Sequence, residues 1–306
     1  IIFHLSIYLF QYFMEIKNLE IILALDSEKH FNRAAEKLNI SQPALSMKLK
    51  SLENEIGVKL VKRGKNFIGL TKEGEILKEK FKYIVKEYSE IKQLSSELKN
   101  NLTGSLRVGV IPSALIDVSF ILNQYVKKFR NINVEVYSMS SNKIDEGLHD
   151  FKLDIGFSYL DNEPILGVEK VHLYKEKYFL VTKNKKYQNF KNISWSECDG
   201  HDLCLISQEN QFRRILDTIF KSKNISPNIM IESNSLIHLF SHVSSSDLST
   251  IMPGSYAAQF ENYSNIRFIE LNTPVVTHSV GSVFIKDKGP SPIKDSFIKF
   301  LKNFNK

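Results

Sequence analysis

The sequence predicts an α+β, multidomain chain with three parts: a unit of short helices, one long helix, and a C-terminal α/β region. Three observations carry this. Residues 14–71 hold short helical runs that close on a basic, glycine-containing hairpin, LVKRGKNFIGLT. Residues 72–102 form a single uninterrupted helical stretch. From residue 106 onward, strand-like and helix-like segments alternate. A chain of 306 residues is long enough for at least two such domains.

The chain starts IIFHLSIYLFQYF, which is apolar but lacks both a basic start and a small-residue cleavage site. Residues 1–13 are therefore expected to be an upstream extension that adds nothing to the fold, with a short membrane-associating segment as the lesser alternative. Other apolar runs fall short of a bilayer span. Two cysteines, Cys198 and Cys204, exclude a disulfide framework and fit a reducing compartment, so a cytoplasmic location is expected. The formal charge of +7 points towards an anionic partner. The excess is concentrated: Leu45–Asn66 holds six basic residues against two acidic ones.

In FNRAAEKL (31–38), Phe31, Ala34, Ala35 and Leu38 share one helical face, and the alanines admit a crossing helix. Asn39 suits a tight turn, Ser41 suits a helix cap, and Pro43 falls in the first turn of the next helix. Leu45, Leu49, Leu52 and Ile56 then make one buried stripe. The segment reads as helix, short turn, helix. The polar face of the second helix carries Ser41, Gln42, Pro43, Ala44, Ser46, Met47, Lys48 and Lys50. Gln42 can read an adenine edge, and Ser46 can reach a base or a phosphate. The helix start favours phosphate. Lys62, Arg63 and Lys65 in the hairpin are placed to grip a neighbouring DNA backbone or minor groove. Double-stranded DNA is the expected partner; a helical hairpin with a solvated basic edge is the plainer alternative.

Thr71 is a suitable cap for the long helix, with Glu73 and Glu75 in its first turn. Leu77, Phe81, Ile84, Tyr88, Ile91, Leu98 and Leu102 follow a heptad seam, weak only at Ser95. A seam of this length is expected to pack on a second copy. Beyond it, strands are expected near 106–111, 132–140, 153–159, 169–175, 177–183, 203–207, 229–233, 249–253, 266–271 and 279–286, with helices at about 113–129, up to about Asp150, at about 210–223, up to about Val243, and a final helix from about Ser291. Alternation of this kind argues for parallel sheets. Irregular stretches near 161–167 and 271–278 are candidates for two crossings between lobes. His238 and His242 have a metal-compatible spacing without a third ligand, so no metal or other cofactor is expected.

Residues 14–75 resemble the winged helix-turn-helix of the LysR-type transcriptional regulators, through RAAEKLNISQPALS, the following LENEIG and the LTKEG leading into a long helix. The likeness extends less sharply to the end of the chain. It implies a winged DNA-binding domain (14–71), a dimerisation linker helix (72–103) and an effector domain (104–306) of two Rossmann-like lobes, similar to periplasmic binding proteins. Lobe 1 would be about 104–162 and 271–306, and lobe 2 about 163–270. It also implies homodimers or tetramers on inverted-repeat promoter sites, with the transcription machinery a possible partner. Met47 and Lys48 depart from the Arg-Gln-like pair common in the family, and Met47 cannot make a bidentate contact with guanine. SHVSSSDLSTIMP replaces the usual glycine-rich loop of the second lobe.

By position, a small-molecule effector would lie between the lobes at helix starts that follow strands. These are Pro112, Ser113, Ala114, Ser140, Ser141 and Asn142 in one lobe, and Ser207, Gln208, Asn234 and Ser235 in the other. Free N–H groups and hydroxyls there suit a carboxylate or oxyanion, while for each serine simple capping is the plainer role. An exported solute-binding protein would leave the first 70 residues after Met14 unexplained. An enzyme is not expected, because no Walker A loop, G-x-S-x-G elbow or paired metal ligands occur.

Overall fold

The computed structural model describes residues 15–64, 67–260, 265–287 and 289–304, so the expectations for residues 1–13 and Lys65 lie outside it. It divides into two compact units between Lys92 and Gln93.

The first unit begins with α1 (Ile16–Glu28), α2 (Phe31–Lys37) and α3 (Gln42–Ile56). An antiparallel hairpin of β1 (Val61–Arg63) and β2 (Phe67–Leu70) follows, then α4 (Lys72–Leu98). Leu19, Ile22 and Leu25 of α1 meet Ala34 and Ala35 of α2 and Leu45, Leu49 and Leu52 of α3 in one core, closed by Leu60, Val61, Leu70 and Phe81. Asn39 takes the left-handed conformation that the turn requires (φ 54°), and Gly57 ends α3 in the same region (φ 82°). The α4 seam behaves in two ways. Phe81 is buried, and Leu77 and Ile84 pack partly on the core. Tyr88, Ile91 and Leu98 are exposed, Leu98 at 85%. The helix stops at Leu98 rather than running to residue 102, because Asn100 turns left-handed (φ 54°).

The second unit contains two lobes. The first is a five-stranded sheet in the order β4 (Ile132–Ser138), β3 (Gly104–Val110), β5 (Ile155–Tyr159), β13 (His278–Phe284), β6 (Glu169–Glu176). It carries α5 (Leu115–Lys128), α6 (Ser141–His149) and α10 (Pro292–Phe304). The second lobe is the sheet β11 (Thr250–Pro253), β7 (Tyr178–Thr182), β12 (Arg267–Thr273), β8 (Asn192–Ser194), joined through a Leu203–Ser249 bridge to a parallel pair, β9 (Asp202–Ile206) and β10 (Asn228–Ser233). Helices α7 (Gln211–Ser222), α8 (Leu236–Ser245) and α9 (Gly254–Phe260) complete it.

Two expectations are corrected. The sheets are mixed rather than parallel, because β13 runs antiparallel to β5 and β6, and β7 antiparallel to β11 and β12. The first crossing does not lie near 161–167. Strand β6 pairs with β13 in the first lobe and β7 pairs in the second, so the chain changes lobe at Lys177. Residues 161–167 carry Pro and Gly and read as a boundary, whereas the true crossing holds neither. The return crossing falls between β12 and β13, within the expected 271–278. Strand β8 and helix α9 were not expected.

Candidate nucleic-acid interface and ligand cleft

Ser41 caps α3, its hydroxyl accepting the Ala44 N–H at 3.3 Å, with Pro43 in the first turn where no N–H is needed. The leucine stripe faces the core, which leaves Gln42, Pro43, Met47 and Lys50 exposed and Ala44 and Ser46 half-buried. Gln42 Nε2 donates to Ser46 Oγ at 3.0 Å, so the two candidate readers lie side by side one turn apart. Met47 is 71% exposed, a large apolar side chain that the fold leaves uncovered. The Lys48 ammonium pairs with Glu15 at 3.2 Å and donates to Asn18 at 3.3 Å, beside the start of α1. Lys62 is exposed on the hairpin, and Arg63 closes β1.

The hairpin is held by Glu53, whose role was not foreseen, and by Thr71, the expected cap of α4. The side chain of Glu53 is fully buried at the end of α3 and accepts the N–H groups of Leu60 (3.0 Å) and Val61 (3.3 Å) while pairing with Lys59 at 3.0 Å. Thr71 caps α4 through Gly74 N (2.9 Å) and donates to the Lys59 carbonyl (2.6 Å). Gly74 is required by close approach, since a Cβ there would lie 2.2 Å from the Leu60 carbonyl oxygen. LENEIG and LTKEG thus fasten the hairpin to the end of α3 and the start of α4.

In the second unit, the two lobes meet through polar side chains. Ser158 Oγ donates to the Gln211 amide oxygen at 3.1 Å, and Gln211 Nε2 donates to the Asn162 carbonyl. Arg214 forks onto Glu163, with Nε at 2.9 Å from Oε1 and Nη2 at 2.5 Å from Oε2, and reaches Ser141 Oγ at 3.4 Å. That hydrogen bond from Arg214 holds the Glu163 carboxyl below its ordinary range. Ser113, Ala114 and Ser141 are buried, Pro112 and Ser140 are half-buried, and Asn142 is exposed. The Ser140 hydroxyl makes no cap bond. Across the cleft, Ser235 caps the His238 N–H at 3.3 Å and Ser207 accepts from Asn210 at 3.2 Å, local roles that account for both. Gln208 and Asn234 are exposed. Gln211, Arg214 and Glu163 escaped the sequence because their partners stand about fifty residues away. The His238 and His242 rings lie 4.6 Å apart, and His238 Nδ1 is engaged with Ser233 at 3.0 Å; among the described residues no third ligand joins them.

Both units match family models. Residues 16–75 match the bacterial regulatory helix-turn-helix protein, lysR family, and residues 99–306 match the LysR substrate binding domain. The chain belongs to the LysR family. It is a LysR-type DNA-binding transcriptional regulator with an effector-binding domain, as the resemblance implied. A similar relative is the hydrogen peroxide-inducible genes activator of Haemophilus influenzae, 24% identical over 287 residues, covering 93% of this chain and 94% of that protein. Among solved structures, full-length OxyR C199D of Pseudomonas aeruginosa superposes with a TM-score of 0.72 at 23% identity, covering 96% of this chain and 98% of its own. Full-length CbnR complexed with its target DNA gives 0.68 at 22% identity, covering 95% and 99%. These likenesses place the LysR-type regulator in a shared fold. Among the described residues, no helix is long and apolar enough to cross a membrane.

Proposed function

We propose that this regulator reads promoter DNA with the exposed face of α3, that the β1–β2 wing grips the adjoining backbone, and that a small molecule held between the lobes controls it. The carrying observation is the capped, solvent-facing start of α3, where Gln42 and Ser46 stand together beside exposed Met47 and Lys50. Residues 14–71 then form the DNA-binding domain, 72–103 the linker and 104–306 the effector domain. The exposed Tyr88, Ile91 and Leu98 favour a homo-oligomer joined through α4. The reading includes a cytoplasmic location and no catalytic activity. For the effector, Ser113, Ser140 and Ser141 are the favoured contacts, because local capping accounts for Ser207 and Ser235.

In gel shifts with DNA from upstream of the protein's own gene, Gln42→Ala is expected to weaken binding by about 1–3 kcal/mol and to relax preference at one base pair. Lys62→Ala should weaken binding evenly across sequences and reduce the salt slope by about one. Wild-type affinity in both variants would sink the assigned surface.

A peroxide response like that in the relative's name is not carried over. Cys198 and Cys204 are both buried, and burial pushes their thiols up to about 12 and about 11. Thiolate is the reactive form, so neither cysteine should react with a thiol reagent in the native chain. Rapid native labelling of either cysteine, or DNA binding that changes with peroxide, would contradict this.

A further inference from the structure

Where the chain changes lobe at Lys177, it gathers a chamber of aromatic and acidic side chains, and both lobes wall it. The first lobe supplies Glu176 at the end of β6, Tyr159 at the end of β5 and His278, which opens β13 opposite Glu176. Ser113, Tyr174 of β6 and Asp117 of α5 join them. The second lobe supplies Tyr178, the first residue of β7, and Tyr256 of α9. The Tyr159 hydroxyl donates to Glu176 Oε2. Tyr178 bonds His278 Nδ1 at 2.6 Å, and Tyr256 donates to the Pro112 carbonyl at 3.0 Å, so both second-lobe tyrosines are strapped to the first lobe. Glu176 is 3% exposed and Ser113 1%. Among the described residues, Glu176 Oε1 and Ser113 Oγ find no hydrogen-bond partner, although the Ser113 hydroxyl faces that of Tyr159.

Both crossings of the chain end here. Lys177 joins Glu176 to Tyr178, and the return from β12 arrives at His278. The chamber is therefore a hinge, and because second-lobe tyrosines close it, parting the lobes at the crossing admits water to Glu176. A carboxylate inside the closed chamber would lie dry beside Asp117, the arrangement that costs an ionised acid most. Burial first, and then Asp117, push the Glu176 carboxyl up to about 8 against the hydrogen bond from Tyr159. Burial, then Glu176, raises the hydroxyls of Tyr159, Tyr174, Tyr178 and Tyr256 above their ordinary 10. Burial holds His278 below its ordinary 6.5 against the opposing Asp161. Lys177 pairs with Glu270 at 3.0 Å. Of these shifted groups, Glu176 alone changes charge between pH 6.5 and about 8.

We propose that the chamber is a proton-operated hinge lock: protonated Glu176 holds the two lobes closed at the crossing, and loss of that proton lets them part. The sign follows from linkage. The closed chamber keeps a proton that a hydrated carboxyl releases near its ordinary 4.5. Closure is therefore favoured in full below about 4.5 and weakens as pH rises, the ratio of open to closed chains growing about tenfold per pH unit. It levels off above about 8. The lobe angle of this regulator thus follows pH in the neutral to weakly alkaline range. The lock needs no ligand, so it goes beyond the reading of the second unit as a sensor and does not rest on it.

Double electron–electron resonance on the full chain tests this, with spin labels at Asn142→Cys and Gln208→Cys, exposed positions in the first and second lobe. The native cysteines are buried. Dilution with unlabelled chain confines the measured distance to one subunit. A short distance should dominate at about pH 6.5 and a longer one at about pH 8.5, reversibly and with unchanged circular dichroism. Glu176→Gln should keep the short distance throughout. Tyr178→Phe, which removes the strap to His278, should open at a pH lower by about half a unit or more. A single distance across the range, or a Glu176→Gln chain that opens as the wild type does, would overturn the proposal. So would opening accompanied by loss of secondary structure, or opening of Tyr178→Phe at the wild-type pH.

Discussion

Glu53→Ala is expected to destabilise the first unit by about 2–5 kcal/mol, among the largest single-residue losses in the chain. The side chain is fully buried and accepts both the Leu60 and the Val61 N–H. Alanine leaves two buried donors without acceptors in a place water does not reach, and it opens a cavity at the end of α3. Lys59 loses its partner as well, a smaller effect because its own side chain is largely exposed. Glu53→Gln, which keeps an acceptor oxygen, should lose much less. Hydrogen exchange reads this locally: the Leu60 and Val61 amides should lose protection in Glu53→Ala and retain much of it in Glu53→Gln. DNA affinity should fall alongside, because the wing and recognition helix share this anchor. Unchanged protection in Glu53→Ala would show that the wing is held some other way.

Glu176→Gln should flatten the pH dependence of stability. Burial first, and Asp117 second, push the Glu176 carboxyl up to about 8 against the opposing hydrogen bond from Tyr159, whereas the unfolded chain ionises it near 4.5. The folded state therefore holds a proton between those values that the unfolded state has released. Stability from this group is complete below about 4.5, falls as pH rises through the window, and levels off above about 8. The total is on the order of a few kcal/mol. His201 and His278, whose pKa values burial lowers, act in the opposite sense as pH falls through their ordinary 6.5. The interval from there to about 8 thus isolates Glu176. Thermal midpoints of the wild-type chain should drop across it, and those of Glu176→Gln should stay level, since an amide still accepts from Tyr159. Parallel slopes in the two proteins would mean that Glu176 is ionised in the folded chain.

What the sequence disclosed was local. The Ser41 cap, the Asn39 turn, the leucine stripe and the Thr71 cap each depend on residues within a few positions, and each appears where spacing placed it. The N-terminal half of the α4 seam was half-read: periodicity marks an apolar face but not which surface covers it, and Phe81 goes to its own core. Contacts over long separations were not legible. That Lys48 meets Glu15 and Asn18, some thirty positions earlier, could not be read from its own helix. The crossing at Lys177 has no turn residue to announce it, and with the crossing misplaced the chamber stays invisible. Its members stand at 113, 117, 159, 174, 176, 178 and 256, and nothing but the change of lobe brings them together.

The most direct test of the central claim puts a photoreactive residue at position 47, the exposed centre of the α3 face. Irradiated with the promoter fragment, the chain should crosslink to a base, and excess specific DNA should compete the adduct away far better than scrambled DNA. No adduct, or one that both DNAs compete equally, would contradict the assignment of α3 as the helix that reads sequence.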